Sequence, residues 1–201
     1  MISITKDLIS CNTYPGANII KCIVIHDTGN TDKGSNAKAN RDYFNSPEVQ
    51  ASAHYIVDDK TIIQAVNDLD GAWHCGDGHG AYGITNSNSI GVEICINADG
   101  DYAKAIRNAQ DLVVSLLGKY NLQCGNVVRH YDASRKNCPG TMNADGKWTG
   151  WTLFQNALFF NYSVTKLVAK GIISSPDYWL NTTPYNPDYV KVLIQNMANK
   201  L

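Results

Sequence analysis

The chain has 201 residues, of which 44% are hydrophobic and 17% charged, and its formal net charge is −1. Its length suits one full domain with a small addition, and its composition is ordinary for a globular protein. The near-neutral charge argues against a field that attracts nucleic acid, and no segment approaches the roughly 18 continuous apolar residues of a membrane span. The start of the chain, with Lys6 and Asp7, has no apolar run of signal-peptide length. We therefore expect synthesis in the cytoplasm, with release by another agent if the protein works outside the cell.

Local patterns predict an α/β fold. Apolar or alternating runs predict strands at 19–26, 52–58, 61–66, 89–96 and 126–130, the second and third forming a hairpin. Apolar residues spaced by three and four predict helices at 35–45, with Ser35 as its cap, 104–120 and 148–160. This alternation is typical of a mixed central β-sheet flanked by helices, with functional residues in the loops at strand ends.

The pattern changes after residue 161, so we predict two parts, a main domain at 1–161 and a small helical segment at 162–201. A helix capped by Ser163 is expected at 163–171, followed by a proline-punctuated connector. Pro187 should open a last helix with an apolar stripe. About 40 residues is near the lower limit for independent folding. The segment should therefore pack on the main domain, on a second copy of the chain as a homo-oligomer, or on another surface.

The six cysteines are expected to be reduced thiols. A chain of this length can build a core without disulfides, and nothing in it points to an oxidising compartment. No C-x-x-C pair is present, which argues against a zinc ribbon or a redox motif. Cys22 and Cys95 lie in apolar runs and should be buried. Cys138 is the cysteine for which we predict a chemical role.

The segment R-H-Y-D-A-S-R-K-N-C-P-G, residues 129–140, brings an imidazole, an amine and a thiol together. His130 and Cys138 are residue types that bind zinc. His26 is the best third candidate, because it ends an apolar strand and precedes a glycine-containing loop. The alternative for His26 is a histidine satisfied within the core. Two histidines and one cysteine leave the fourth tetrahedral position open, which is typical of a catalytic zinc.

Glu93 lies inside a predicted buried strand, where a carboxylate is costly unless it is paired or functional. Side chains alternate along this strand, with Ile90, Val92 and Ile94 on one face and Gly91, Glu93 and Cys95 on the other. One interpretation is a salt bridge to an arginine or lysine. The other is a general base beside a metal-bound water. Lys136, two residues before Cys138, is compatible with both.

The remaining histidines are weaker candidates. Trp73 and His74 lie in a polar, glycine-rich loop and could form the wall of a substrate groove, or the loop could simply be anchored by a buried tryptophan. His54 alternates with apolar neighbours, so we expect it to be structural or to support a metal ligand. His79 is expected to be a solvated loop residue.

Five segments, in chain order, resemble the type 2 N-acetylmuramoyl-L-alanine amidases, zinc enzymes related to the peptidoglycan recognition proteins. They are I-V-I-H-D-T-G-N, S-A-H-Y-I-V-D-D, A-W-H-C-G-D-G, N-S-I-G-V-E-I-C and H-Y-D-A-S-R-K-N-C-P-G. Five ordered motifs make a chance match improbable. The resemblance extends over about 4–160, and it is to phage and prophage endolysins in particular.

The resemblance implies a peptidoglycan-recognition-protein-like fold and one zinc ion per chain. It implies zinc ligands at His26, His130 and Cys138, a catalytic glutamate at Glu93 and a catalytic lysine at Lys136. The substrate would be bacterial peptidoglycan, cut at the amide bond between N-acetylmuramic acid and L-alanine, as in an endolysin or autolysin.

The last residues lie outside the resemblance and do not look like SH3-type or LysM wall-binding modules. Their aromatic side chains would suit contact with sugar or protein, as in a small cell-wall-targeting or self-associating module. These are Tyr178, Trp179, Tyr185 and Tyr189.

Three other functions stay open at this stage. The chain could be a peptidoglycan-binding module without catalysis, although the presence of Cys138 argues against this. It could be another zinc hydrolase, such as an endopeptidase of the stem peptide. It could also be an intracellular regulator that uses the fold to bind a partner protein.

Overall fold

The computed structural model describes residues 3–181 and 183–199. The strands are β1 (Ile4–Lys6), β2 (Thr13–Tyr14), β3 (Cys22–Asp27), β4 (Tyr55–Val57), β5 (Ile62–Gln64), β6 (Gly71–Ala72), β7 (Ser89–Ile94) and β8 (Val127–Arg129). The helices are α1 (Ala37–Phe44), α2 (Tyr102–Lys119), α3 (His130–Ser134), α4 (Thr149–Ala169), α5 (Pro176–Asn181) and α6 (Pro187–Ala198). None of these helices has both the length and the apolar character needed to cross a membrane.

Six strands form a central sheet in the order β1-β5-β4-β7-β3-β8, and β2 pairs with β6 outside it. The central sheet is mixed, as predicted, because β4 and β5 are antiparallel while the other neighbours are parallel. β3 lies between β7 and β8, and the carboxyl ends of these three parallel strands share one edge of the sheet. In open α/β sheets this edge is where ligands bind.

The two faces of the sheet are covered differently. Helices α2 and α4 cover one face, where Ile90, Val92 and Ile94 are fully buried, which confirms the alternation predicted for β7. Helix α1 covers part of the other face over β4 and β5, in a smaller core that includes Phe44 and Cys95. The six cysteines are all free thiols.

Several elements begin or end at other residues than predicted, because side chains cap them. Asn36, not Ser35, is the N-cap of α1 and accepts a hydrogen bond from the Ala39 amide. Asp101 caps α2, which therefore begins two residues earlier than expected. The hairpin is confirmed, but its strands are only three residues each. Asp58 ends the first of them by accepting backbone hydrogen bonds across the turn.

The predicted separate helices at 148–160 and 163–171 are wrong, because α4 runs without a break from Thr149 to Ala169. Ser163 does not cap a helix; its hydroxyl donates to the Phe159 carbonyl one turn earlier. Packing carries the helix through this point. Val164 is 4% exposed, and the Tyr162 hydroxyl donates to the Leu122 carbonyl at 3.1 Å.

The last part of the chain contains one helix more than predicted. Pro176 begins α5 where a connector was expected. Pro187 begins α6, as predicted, and Asn186 is its N-cap. Tyr178 contacts Trp179, Tyr185 and Tyr189. The boundary between residues 161 and 162 falls inside α4. The division of the chain into two parts stays a prediction, and so does self-association through the C-terminal helices.

The continuity of α4 predicts a difference between two truncated chains. A chain ending at Asn161 loses Tyr162 and Val164, whereas a chain ending at Gly171 keeps the whole helix. We expect the shorter chain to be less stable by roughly 2–4 kcal/mol, from one buried aliphatic side chain, part of an aromatic one and a hydrogen bond. Urea unfolding of both chains measures this, and equal midpoints would show that residues 162–171 add nothing to the main domain.

Candidate metal centre and active site

Three side chains converge at the shared edge of β3, β7 and β8. The ligand atoms of His26, His130 and Cys138 lie within 4.8 Å of one another, and all three residues are buried. The Nδ1 atoms of the two histidines are 3.1 Å apart, and Cys138 Sγ lies 3.8 Å from His26 Nδ1. Two imidazole nitrogens and one sulfur around a common point form a donor set that suits tetrahedral zinc with an open position.

The backbone explains why these residues meet. His26 is the fifth residue of β3, and β8 pairs beside it and ends at Arg129, so His130 follows at the same edge. Cys138 lies in the loop after α3, which is closed by a hydrogen bond from the Tyr131 amide to the Cys138 carbonyl at 2.9 Å.

Asp27 holds the far side of this loop. Its carboxylate accepts hydrogen bonds from the Thr141 amide at 2.7 Å and the Tyr102 hydroxyl at 3.2 Å. No role is predicted for Asp27 from the sequence, although its place directly after His26 is a usable signal. Burial raises its pKa.

Each metal-facing histidine is held through its other ring nitrogen. His26 Nε2 lies 3.0 Å from His74 Nδ1, and His130 Nε2 lies 2.7 Å from Asp77 Oδ1. Asp77 also accepts a hydrogen bond from the Ser134 hydroxyl at 3.1 Å. Such outer contacts orient metal ligands. No role is predicted for Asp77 from the sequence, although it follows His74 by three residues within the A-W-H-C-G-D-G motif.

Glu93 lies next to His26 in the register of β7 and β3. Its Oε1 is 3.9 Å from His26 Nδ1, and its Oε2 is buried without a hydrogen-bond partner among the described residues. No lysine or arginine of the described chain lies within salt-bridge distance of it, so the simple salt-bridge interpretation is not supported. The pKa of Glu93 is raised to about 8, mainly by burial and also by the nearby Asp27, while Lys136 opposes the rise. A buried carboxylate oxygen without a partner fits a group that acts on a bound molecule.

The thiol and the imidazoles of the centre are also kept uncharged by burial. Burial raises the pKa of Cys138 to about 12 and holds the pKa of His26 well below its usual value. Neutral imidazoles are ready to bind a metal, whereas the thiol must lose its proton, so metal binding would release one.

Comparison with known proteins agrees with this geometry. A family profile described as N-acetylmuramoyl-L-alanine amidase matches residues 16–141. The chain is 42% identical over 174 residues to the N-acetylmuramoyl-L-alanine amidase XlyA of Bacillus subtilis strain 168, a match that covers 85% of this chain and 56% of XlyA. The chain belongs to this amidase family. It is also 41% identical over 142 residues to the amidase CwlH of the same organism, covering 69% of this chain and 56% of CwlH.

Solved structures of the amidase family share the fold. The structure of the catalytic domain of XlyA aligns with a TM-score of 0.69 and 38% identity, covering 79% of this chain and 99% of that one. The structure of PlyL aligns with a TM-score of 0.67 and 34% identity, covering 78% and 97%. The chain spans about half the length of the curated relatives it matches.

Two cavities flank the centre. One, of about 430 Å³, contains Glu93 and extends past Tyr43 and Phe44. The other, of about 580 Å³, extends past Tyr14 and Asn86. The residues that border both cavities are Ala51, Trp73, His74, His130 and Lys136.

Lys136 is exposed and lines both cavities beside His130, and its charge lowers the pKa of Glu93. Trp73 is half-buried, with its ring centroid 5.4 Å from that of Tyr14. His74 is only 8% exposed, and both of its ring nitrogens face protein groups. Substrate contact by Trp73 and His74 stays a prediction, although the position of His74 behind His26 also suits a supporting role.

The other two histidines do not join the candidate ligands. His54 is fully buried, accepts a hydrogen bond from the Gly91 amide at Nδ1 and donates to the Asp70 carbonyl from Nε2. Burial lowers its pKa to about 4. These contacts agree with the structural interpretation of His54. His79 is exposed, as expected.

The convergence of the three ligand atoms predicts the effect of removing them. After dialysis against trace zinc, the unaltered chain should retain about one zinc ion, whereas His26→Ala and Cys138→Ser should retain almost none, because two ligands hold zinc poorly. His79→Asn is the matched control, since it removes an exposed histidine and should keep the metal. Elemental analysis measures the zinc content, and full zinc in His26→Ala would contradict the ligand assignment.

Proposed function

We propose that this chain is a zinc-dependent peptidoglycan amidase that hydrolyses the bond between N-acetylmuramic acid and the L-alanine of the stem peptide. The observation that carries the proposal is the partnerless, buried carboxylate oxygen of Glu93 beside three converging ligand atoms. Membership of the amidase family supports the choice of bond. Work as an endolysin or autolysin on the cell wall is part of this proposal.

His26, His130 and Cys138 would hold the zinc ion. Bound there, zinc would supply a Lewis acid that lowers the pKa of a water molecule and polarises an amide carbonyl. The thiolate of Cys138 would offset part of the cation's charge, so a protein base would become more important.

Glu93 is the base in this proposal. It takes a proton from the attacking water and returns it to the L-alanine nitrogen as that nitrogen leaves. A group that accepts and then returns a proton works best with a pKa near the working pH, and burial moves the pKa of Glu93 towards that range. Glu93 lines one of the two cavities, which leaves it open to substrate.

Lys136 offers an ammonium group to the oxygen that becomes negative as water adds to the carbonyl. Its exposure beside both cavities suits this role, because the side chain can reach towards the substrate. A substrate with a glycan arm and a peptide arm also fits a centre flanked by two cavities. Trp73 and Tyr14 would give one of them an aromatic wall suited to a sugar face.

Two other functions are distinguishable from this one. A non-catalytic peptidoglycan-binding module would have no use for a partnerless base beside three ligands. A zinc endopeptidase of the stem peptide could use the same chemistry, so the products must separate it from the amidase.

Glu93→Gln should abolish most activity while keeping the metal. The amide preserves the size of the side chain but cannot take a proton, so we expect turnover to fall at least roughly 10²-fold. The chain's other glutamate, exposed Glu48, provides the control Glu48→Gln, which should hydrolyse walls normally. Release of soluble wall fragments and zinc content are measured together. Near-normal hydrolysis by Glu93→Gln at full zinc would make Glu93 only a structural carboxylate.

Digestion of purified cell walls should release new N-terminal alanine amines without new reducing sugar ends. The physical reason is that a zinc-activated water suits amides, whereas glycosidases use a pair of carboxylates. Mass spectrometry of the released fragments, with Glu93→Gln as the blank, identifies the bond. New amines on residues within the stem peptide would point to an endopeptidase instead, and new reducing ends would overturn the amidase proposal.

A further inference from the structure

We infer that His74, with Ser89 behind it, is a positioning residue that keeps the proton of His26 on Nε2 and so leaves Nδ1 of His26 free for the metal. The inference rests on the proposed zinc chemistry. Its basis is a series of hydrogen bonds, here called the relay, that runs from Ser89 through His74 to His26. Each hydrogen bond of the relay can have only one direction.

The relay begins at Ser89. Its hydroxyl donates to the Thr85 carbonyl at 2.6 Å, and a serine hydroxyl has one hydrogen. Towards His74 Nε2, which lies 3.2 Å away, Ser89 Oγ can therefore only accept. The hydrogen between them belongs to His74 Nε2. The Cys75 thiol lies farther from both groups, at 3.8 Å from Ser89 Oγ and 4.0 Å from His74 Nε2, and is a weak partner.

The direction of this hydrogen bond fixes the direction of the next one, between His74 and His26. A neutral imidazole with its hydrogen on Nε2 has a bare lone pair on Nδ1. His74 Nδ1 lies 3.0 Å from His26 Nε2 and accepts its hydrogen. His26 Nδ1 is then the bare nitrogen, and it is this atom that faces His130 and Cys138. A second proton on His74 would be costly, since the ring is buried between two other imidazoles.

The surroundings of His74 hold its ring in this place. A Cβ atom on Gly91 would lie 2.6 Å from His74 Cγ. A glycine at position 91 of β7 is therefore needed to leave room for the ring. Asn86 Oδ1 accepts from the His74 amide at 3.0 Å and fixes the backbone. The neighbouring His54 does not compete for His74, because its nitrogens already pair with Gly91 and Asp70.

The two metal-facing histidines reach the same tautomer by different means. The Asp77 carboxylate, which can only accept when ionised, sets the hydrogen of His130 on Nε2. Asp77 is partly exposed, with 46% of its side chain accessible, so its charge is solvated. The position behind His26 is buried, with His74 only 8% exposed, so an ionised carboxylate there would lose its hydration. A neutral imidazole avoids this cost while still accepting a hydrogen bond.

Two variants test the relay from its two ends. Ser89→Ala removes the hydroxyl that accepts the hydrogen of His74 Nε2, while the side chains of His26 and His74 themselves stay unchanged. His74→Phe keeps the ring shape but removes the acceptor of His26. His74→Asn should act as a conservative rescue, because its Oδ1 can take the place of His74 Nδ1. His54→Gln is the matched control, a buried histidine that touches His74 without joining the relay.

Zinc affinity and ring tautomers are the readouts, and neither requires activity. Competition with a coloured chelator should show zinc binding weakened by roughly 10-fold in Ser89→Ala and up to about 100-fold in His74→Phe. His74→Asn should lie closer to the unaltered chain, and His54→Gln should lose stability without losing affinity. Nitrogen-15 NMR of the metal-free chain should show both His26 and His74 with hydrogen on Nε2.

The inference fails if metal-free His26 carries its hydrogen on Nδ1, or if Ser89→Ala and His74→Phe bind zinc as tightly as the unaltered chain. Failure of the proposed function gives a different result, in which the unaltered chain binds no zinc. The tautomers measured in the metal-free chain decide the relay in that case too.

Discussion

The parallel pairing of β3 with β7 and β8 is the constraint on which the rest of the structure depends. It places His26 beside Glu93 and delivers His130 to the same edge. Glu93 lies 67 positions after His26, and the residues between the strands form helices and loops that return the chain to this edge. A shift of one residue in either pairing would turn side chains such as His26 and Glu93 away from the site and towards the core under α2 and α4.

Burial then decides the charges at this edge. In the chain alone the carboxylate of Glu93 and the thiol of Cys138 favour their protonated forms, and the imidazole of His26 favours its neutral form. The polar cluster is therefore close to uncharged, which keeps its burial tolerable. A divalent cation would reverse this preference for the acidic groups, because it stabilises the thiolate and the carboxylate. The same burial that disfavours charge in the free chain thus prepares the groups to hold a cation.

One short segment, residues 74–77, supports both histidines of the centre. It follows β6, whose pairing with β2 fixes where the segment starts. Gly78 lets it approach α3 closely, since a Cβ there would lie 2.0 Å from the Ala133 carbonyl oxygen. This approach brings Asp77 to His130, while the space above Gly91 admits His74 to His26. Glycines at two distant positions therefore serve the geometry of the metal centre rather than the turns of the chain.

Sequence alone determined the five strands β3, β4, β5, β7 and β8, the alternation along β7 and the candidate residues, because these depend on local periodicity and on the chemistry of single side chains. The short strands β1, β2 and β6 were not predicted. It also carried the family resemblance. Tertiary structure decided what local patterns cannot encode. Ser163 reads as a helix cap, yet packing of Val164 and Tyr162 on the core carries α4 through it. The parts played by Asp27, Asp77 and Ser89 were not visible either, because each acts through a partner distant in sequence, and only the folded sheet brings those partners within hydrogen-bond distance.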